Sequence, residues 1–449
     1  MRPLTVTEDS RLSLWLHVRE FAVPPSMIET ATARRTVGDW AGACAAAHVD
    51  IDLNLRSTAR THGRELMARV RDDLRHLAPD LLRWHMPRIV PDGLLRPGLT
   101  VSLARYLPAS YGGGATVHLV ARTPPAWAGA GQRISLALWD GSGAGRHPHP
   151  RPNRRFRLDL HRHLWDARRA GELRVRAGAG DPPSQDPGVP LEPGCAVDRW
   201  AAEAWTLLQE EKGDAVAVRL GRRRLLVLDL TAFPEVRITT APTRGGRSAL
   251  PVLPDAATWV PPDLMLLRAG LIEADRLHPL VASALAPDHS PSRPPRTGGR
   301  EAWRLVECRG ARHRIGLVDG VLVPLDHDPA EIHRERLLSA LTGTPLPCLR
   351  VIEEAHRAPE GLPGIRARLE HGDVAGALAA VEDLLGPGAA LPEGALRDEL
   401  EAAARRRVAH GLFRTGLTGP GKESVIWPGQ VPQTGAKADH ARSRRTTSR

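Results

Sequence analysis

The chain has 449 residues, of which 42% are hydrophobic and 25% are charged, an ordinary composition for a globular protein. Its net charge of +11 is carried almost wholly by arginine, since lysine stands only at Lys212, Lys422 and Lys437. The four cysteines lie far apart with no CxxC pair, which argues against a disulfide-rich secreted domain and against a structural zinc site, whose ligands are usually paired at short spacing.

These features favour a bacterial protein of the cytoplasm. Arginine, alanine, glycine and proline are frequent and lysine is scarce, as expected of a GC-rich genome, so arginine alone is weak evidence of function. The first residues, MRPLTVTEDSR, include acids and no apolar run, unlike a secretory signal. No uncharged apolar stretch approaches the ~18 residues that a membrane span needs. We therefore expect no association with a membrane.

Residues 1–98 are predicted to form a helical N-terminal region. One stretch repeats apolar residues at helical spacing, so that they share one face: Leu66, Val70, Leu74, Leu77 and Leu81. Pro79 is expected to kink or divide this helix, because proline lacks the backbone N–H that a helix interior requires.

Residues 99–286 are predicted to form a β-rich central region that also contains helices. Strand-like alternation of apolar and polar residues occurs in three stretches, 99–107, 115–122 and 133–141. A later β-hairpin is expected to turn at Gly221. The helix before that hairpin is expected to start at Asp198 as its N-cap and to end at Gly213. Two further helices are predicted within 262–286.

A third region, residues 300–417, follows a proline-rich linker at 287–299. It is predicted to begin as a β-meander and to continue as helices. Residues 418–449 are polar, glycine-rich and basic, and we expect them to be disordered. The whole chain is therefore predicted to be an α+β protein.

Two distant segments resemble each other. ARRTVGDWAGACAA at 33–46 matches ARLEHGDVAGALAA at 367–380 in nine of fourteen positions. In each, a glycine (Gly38, Gly372) is expected to end one helix in the left-handed conformation, and the next residue is expected to cap the following helix. The pattern resembles the turn of a tetratricopeptide-type hairpin, although there is no tandem array. It fits either a protein-binding hairpin or close helix packing in an alanine-rich chain.

No motif assembles a catalytic site, and we predict no cofactor and no metal. The segment LDHDPAEIHRE at 325–335 gathers acids and histidines, but Asp328 followed by Pro329 is typical of a helix N-terminus. An enzyme whose active-site residues are scattered along the chain stays an alternative. Its best candidates are Asp326, His327 and His333.

The most unusual stretch is residues 146–176, here called the arginine segment, with ten arginines and three acids. Its residues 146–153 are predicted to be a loop and 155–160 a half-buried strand. A helix is then predicted from the cap Asp159 to Gly171. The candidate binding residues, expected to face solvent, are Arg151, Arg154, Arg155, Arg157, Arg162, Arg168 and Arg169.

The arginine segment leads to three functional hypotheses besides a merely solvated surface. The leading one is a non-catalytic interaction or adaptor protein that binds an acidic protein partner through these arginines and the helical hairpins. The alternative is a nucleic-acid-binding protein that uses the arginine segment and the basic tail. A metal site built from its H-x-H pairs is the weakest hypothesis. The leading hypothesis requires these guanidinium groups to be free of internal acidic partners.

Overall fold

The protein is described from a computed structural model. The structure describes residues 6–107, 116–129, 132–141, 147–179, 191–221, 224–233, 236–240, 250–289, 304–308, 310–318, 321–342, 346–349, 362–385 and 394–417. Within these ranges helices and three sheets confirm the predicted α+β class. The predicted disordered tail, 418–449, lies outside the described residues, as does most of the predicted linker.

Helices form most of the N-terminal part. The elements are α1 Val6–His17, α2 Pro25–Thr36, α3 Trp40–Ala46, β1 Val49–Ile51, α4 Leu55–His62, α5 Arg64–His76 and α6 Pro79–His85. Pro79 is the first residue of α6, so proline divides the predicted helix as expected. The predicted apolar face is buried, with Val70, Leu74 and Leu81 each at most 1% exposed.

The first sheet joins this helical part to the centre of the chain. It contains β1 together with β2 Thr100–Tyr106, β3 Val117–Arg122 and β4 Ile134–Trp139, in the order β1-β4-β3-β2. β2, β3 and β4 are antiparallel, whereas β1 pairs in parallel with β4. The three predicted strands are thus confirmed, and β2 lies at one edge of the sheet.

A second, smaller core surrounds the predicted hairpin. After α7, Leu173–Arg176, the chain forms α8 Val197–Glu210, then an antiparallel sheet of β5 Ala215–Leu220, β6 Arg224–Asp229 and β7 Arg237–Thr240, then α9 Asp255–Thr258. Gly221 has a φ of 75° and makes the turn, as predicted. The N-cap of α8 is Ala196, however, and Asp198 lies in the first turn.

Helices α10, Pro262–Arg268, and α11, Pro279–Leu285, are the two helices predicted within 262–286. They pack on the main hydrophobic core, whose members extend from Leu12 to Ala284. This core crosses position 98, where the composition of the sequence suggested a boundary. The division into three regions stays a prediction.

The C-terminal part begins with the predicted meander. Its strands β8 Arg304–Cys308, β9 Ala311–Val318 and β10 Val321–Pro324 pair in the order β10-β9-β8, and the helices are α12 Pro329–Thr342, α13 Leu362–His371, α14 Val374–Leu385 and α15 Ala395–Thr415. The end of α13 contacts the N-terminal part, where Arg83 Nη2 donates to the carbonyl of His371 at 2.9 Å.

The two similar segments have the same local structure. Gly38 and Gly372 adopt φ values of 80° and 89°, and the side chains of Asp39 and Asp373 accept from the amides of Gly42 and Gly376 at 2.8 and 2.9 Å. The predicted left-handed turns and aspartate caps are therefore confirmed. A β-carbon at either capped glycine would lie about 2 Å from the capping carboxylate, so a larger residue would displace the cap.

Candidate functional site

The arginine segment runs along the open edge of β2. The amide of Asn153 donates to Thr100 O and that of Asp159 donates to Ser102 O, both at 2.9 Å. The predicted strand 155–160 and the helix from Asp159 to Gly171 are wrong, since the segment forms only short 3₁₀ turns before α7. Some of its backbone groups bond to each other within these turns, and the amides of Asn153 and Asp159 pair with the edge of β2.

Two arginines of the segment bind acids on α5. Arg162 and Arg168 both contact Asp73, and both bond to the fully buried Asp166, at 2.9 and 3.0 Å. Arg168 also reaches Asp72 at 2.5 Å. Burial alone would raise the pKa of Asp166, but hydrogen bonds from the two guanidinium groups hold that pKa below its usual value. This cluster joins the arginine segment to α5.

Three more of the candidate arginines also have acidic partners. Arg157 bonds to Asp159 at 2.7 Å and to Glu211 at 2.6 Å, while its side chain is 8% exposed. Arg155 pairs with Asp255 of α9, and Arg169 pairs with Glu172. The positive charge of these arginines, which the sequence predicted to face solvent, is therefore largely neutralised by acids of the same chain.

Arg151 and Arg154 differ from these five arginines. Both are exposed, and neither has an ion pair with any described residue. The structure therefore does not bring the seven candidate arginines together as one free basic surface. Four of them, Arg155, Arg157, Arg162 and Arg168, connect the segment to α5, to the end of α8 and to α9, whereas Arg169 pairs within the segment.

The same segment also lines a cavity of about 360 Å³, here called the arginine pocket. Its walls come from α1, the loops after α6, the arginine segment and the chain from α9 to α10. They are mainly apolar and aromatic, as is usual for ligand sites of this size. Among its lining residues are Leu14, Trp15, Met86, Phe156, Leu158, Leu164, Trp259, Val260 and Met265.

Three guanidinium groups of the arginine pocket have no ion pair with a described acid. Arg11 lies 4.0 Å above the ring of Trp259 and donates to the carbonyl of Pro193 at 3.0 Å. Arg88 donates to two backbone carbonyls at 2.7 Å, and its Nε has no partner. Arg96 is exposed and its guanidinium lies 5.9 Å from the ring of Phe156. Three guanidinium groups without ion pairs therefore lie in a pocket whose walls are mainly apolar.

Burial and neighbouring cations shape the charge in this pocket. Burial, with a further contribution from Arg83, lowers the pKa of Arg88 well below its usual value. Burial likewise lowers the pKa of His85 to about 3, helped by His278 and Arg88, so the imidazole is neutral at pH 7. His85 Nε2 also lacks a hydrogen-bond partner. An anion bound in the pocket would supply a hydrogen-bond partner for groups such as Arg88 Nε, which have none within the protein.

The sequence does not reveal this pocket, because the residues that line it lie far apart in the chain. Arg11, Arg88, Arg96 and Trp259 belong to no common motif. Among the lining residues, only those around Phe156 lie in a part of the sequence that is unusual, because it is dense in arginine. The sequence predicted these arginines to be at the surface, whereas Arg155 and Arg157 line the cavity.

The candidates for a scattered active site do not form one group. Asp326 accepts from the backbone N of Arg314 at 2.6 Å and from its Nη2 at 2.7 Å, and His333 is exposed. The predicted cap is confirmed, since Asp328 accepts from the amide of Ala330 at 2.9 Å. His327 instead lies beside Cys308 and Cys348, a group that spacing along the chain did not reveal.

Comparisons with known proteins identify no relative: no family model, no curated protein and no solved structure matches this chain. In the part of the chain that the structure describes, no helix has both the length and the apolar character needed to cross a bilayer.

Proposed function

We propose that the protein binds a small organic anion, one with a flat or apolar body, in the arginine pocket. The observation that carries this proposal is the set of three guanidinium groups, on Arg11, Arg88 and Arg96, that form no ion pair with a described acid, although Glu192 and Asp255 also line the cavity. They line the same cavity as the aromatic rings of Trp15 and Trp259.

The chemistry of the walls sets the ligand class. A carboxylate, sulfonate or phosphate accepts paired hydrogen bonds from a guanidinium group, and such charge-assisted bonds contribute about 1.5–3 kcal/mol each. The apolar body would replace water against Phe156 and Trp259. A purely apolar ligand would leave the three cations unpaired, and an inorganic ion would leave the aromatic walls uncovered.

The test uses anilinonaphthalene sulfonate, a fluorescent aromatic anion, as the probe with the full chain. Wild-type protein is expected to bind one probe molecule. Arg11→Gln and Arg96→Gln are each expected to weaken binding about tenfold, the equivalent of roughly 1.4 kcal/mol. Arg154→Gln is the matched control, because Arg154 is also exposed and unpaired among described residues but lies outside the pocket lining.

Two results would contradict the proposal. One is wild-type protein that shows no saturable probe binding. The other is equal probe affinity in the pocket variants and in Arg154→Gln. Trp259→Ala provides a separate measurement, because it removes the stacking surface without changing the charge.

The interaction role predicted from the sequence is the second candidate. It is favoured by the two exposed arginines, Arg151 and Arg154, and by an exposed aromatic pair, Trp205 and Phe233, whose rings stack at 4.5 Å. We propose that an acidic protein partner would bind at the two arginines, in the cytoplasm, where the four free cysteines would stay reduced. The candidate residues Arg155, Arg157, Arg162, Arg168 and Arg169 are already paired.

Nucleic acid and an acidic protein can be distinguished by direct binding. Fluorescence anisotropy with labelled DNA and RNA at low salt tests the first, and Arg151→Gln with Arg154→Gln should weaken any such binding. A partner that co-purifies with wild-type protein but not with this double variant would favour the interaction role. Retention of the partner by the double variant would contradict it.

A further inference from the structure

A buried group of metal-binding side chains lies at one end of the β8–β10 sheet. Cys308 is the last residue of β8, His327 lies in the turn between β10 and α12, and Cys348 comes after α12. Their ligand atoms all lie within 4.8 Å of one another. The two cysteines are at most 1% exposed, and the His327 side chain is 4% exposed.

The sheet itself explains why residues so distant in sequence meet. Cys308 pairs with Ala311 at the start of β9, and the amide of Leu325 donates to Arg314 O at 2.7 Å. The end of β8 and the chain after β10 therefore flank the same end of β9 from opposite sides. His327 follows directly from that second contact.

The two ring nitrogens of His327 have different surroundings. Its Nδ1 lies 3.7 Å from a carboxylate oxygen of Glu331, whereas its buried Nε2 has no hydrogen-bond partner. The ring stacks on that of His313 with centroids 4.1 Å apart. Metal-binding histidines commonly have this arrangement, in which a carboxylate lies beside one nitrogen and the other nitrogen faces the ion.

A disulfide between the two cysteines is the simplest competing explanation. It would account for Cys308 and Cys348, which are free thiols in this structure. It would not account for the unpartnered imidazole nitrogen beside them. Asp326, the adjacent carboxylate, is bound by Arg314 and is not available as a ligand.

We propose that Cys308, His327 and Cys348 bind a zinc ion. Two thiolates and one imidazole are a ligand set that Zn²⁺ prefers, and tetrahedral coordination leaves the fourth position to a water molecule. The ion would fix β8 and the turn before α12 to the segment around Cys348, so its role includes stabilising this part of the chain. This site is independent of the arginine pocket.

The experiment measures metal in full-length protein purified without chelators. We expect about one zinc per chain by mass spectrometric elemental analysis. Cobalt added to the reduced, metal-free protein should give the near-ultraviolet band of thiolate-to-cobalt charge transfer. Cys348→Ser and His327→Asn should each lose the metal, whereas Cys195→Ser, which changes a cysteine outside the group, should retain it.

Loss of zinc in His327→Asn separates metal binding from a disulfide, because a disulfide does not depend on the imidazole. The cobalt spectrum of unmodified protein tests the proposal even if a variant fails to fold. Absence of zinc after purification, together with no cobalt band in reduced protein, would overturn it. A Cys308–Cys348 disulfide that forms equally in wild type and in His327→Asn would do the same.

Discussion

Arg162 in the arginine segment and Arg88 in the wall of the arginine pocket carry the same charge in opposite surroundings. Burial lowers the pKa of both, but the hydrogen bond and charge of Asp73 raise the pKa of Arg162 overall. Arg88 has the cation Arg83 as its neighbour, and its pKa falls well below the usual value. Arg162 already forms ion pairs with acids of the protein, whereas Arg88 would be stabilised by a bound anion.

The arginines that form ion pairs and those that do not lie in different parts of the sequence. The dense cluster of arginines in 146–176 is mostly used for internal ion pairs, as the contacts of Arg157 and Arg168 show. The pocket takes its unpaired cations from thinly spread positions such as Arg11 and Arg96. Density of charge along the sequence therefore does not identify free charge in the fold.

The largest expected effect comes from breaking the buried cluster of the arginine segment. Asp166→Ala removes the buried carboxylate that Arg162 and Arg168 share besides Asp73, and the loss of its charge-assisted hydrogen bonds should lower the free energy of unfolding by about 3–5 kcal/mol. Urea denaturation measures this change. Asp72→Ala is the matched control: it removes a half-exposed partner of the same Arg168 and should cost under about 1 kcal/mol. Equal losses would show that burial does not distinguish the two pairs.

The next effect is a loss of stability in acid through Glu203. Burial alone would raise the pKa of this carboxyl, but hydrogen bonds from His161 and Arg176 lower it to about 2, from an ordinary value of 4.5. A depressed pKa gives stability that is fully present above pH 4.5 and is lost as the pH falls towards 2. About 3 kcal/mol is expected to disappear over this range.

The control for this acid effect is Glu203→Gln. This variant should be less stable at pH 7 but should show a smaller further loss between pH 5 and pH 2, measured by urea denaturation at each pH. The same pH dependence in wild type and variant would contradict the role of Glu203.

A small effect is expected from the exposed pair at the end of the arginine segment. Arg169 and Glu172 are 49% and 36% exposed. Arg169→Gln should therefore lower the free energy of unfolding by only about 0.2–1 kcal/mol. High salt should reduce the difference further. A loss above about 2 kcal/mol would show that this exposed pair stabilises the fold as strongly as the buried ones.

The smallest effect on stability is expected in the pocket. Arg96 is exposed and has no ion pair with a described acid, so Arg96→Gln should change the free energy of unfolding by less than about 0.5 kcal/mol. The same variant should weaken probe binding about tenfold, as stated above. If Arg96→Gln lowered both stability and probe binding, the distinction between structural and ligand-binding arginines would be wrong.

Much of the local structure was predictable from the sequence. The glycine–aspartate turns at 38–39 and 372–373, the helix start at Pro79 and the turn at Gly221 were all confirmed. Each depends on the backbone freedom of one residue or on a side chain that reaches an amide three residues away. The strand and helix predicted within 155–171 were wrong, because the backbone there pairs with β2 and with the turn before α6.

The sequence by itself determined the α+β class, the turn at Gly221 and the glycine–aspartate turns, since these follow from the conformational preferences of residues close together in the chain. Only the tertiary structure decided which charges are free. Arg162 meets Asp73 across 89 positions, and Cys308, His327 and Cys348 come together although they are distant in sequence. Electrostatic and metal-binding contacts depend on distance in space, and that distance is fixed by how the helices and sheets pack.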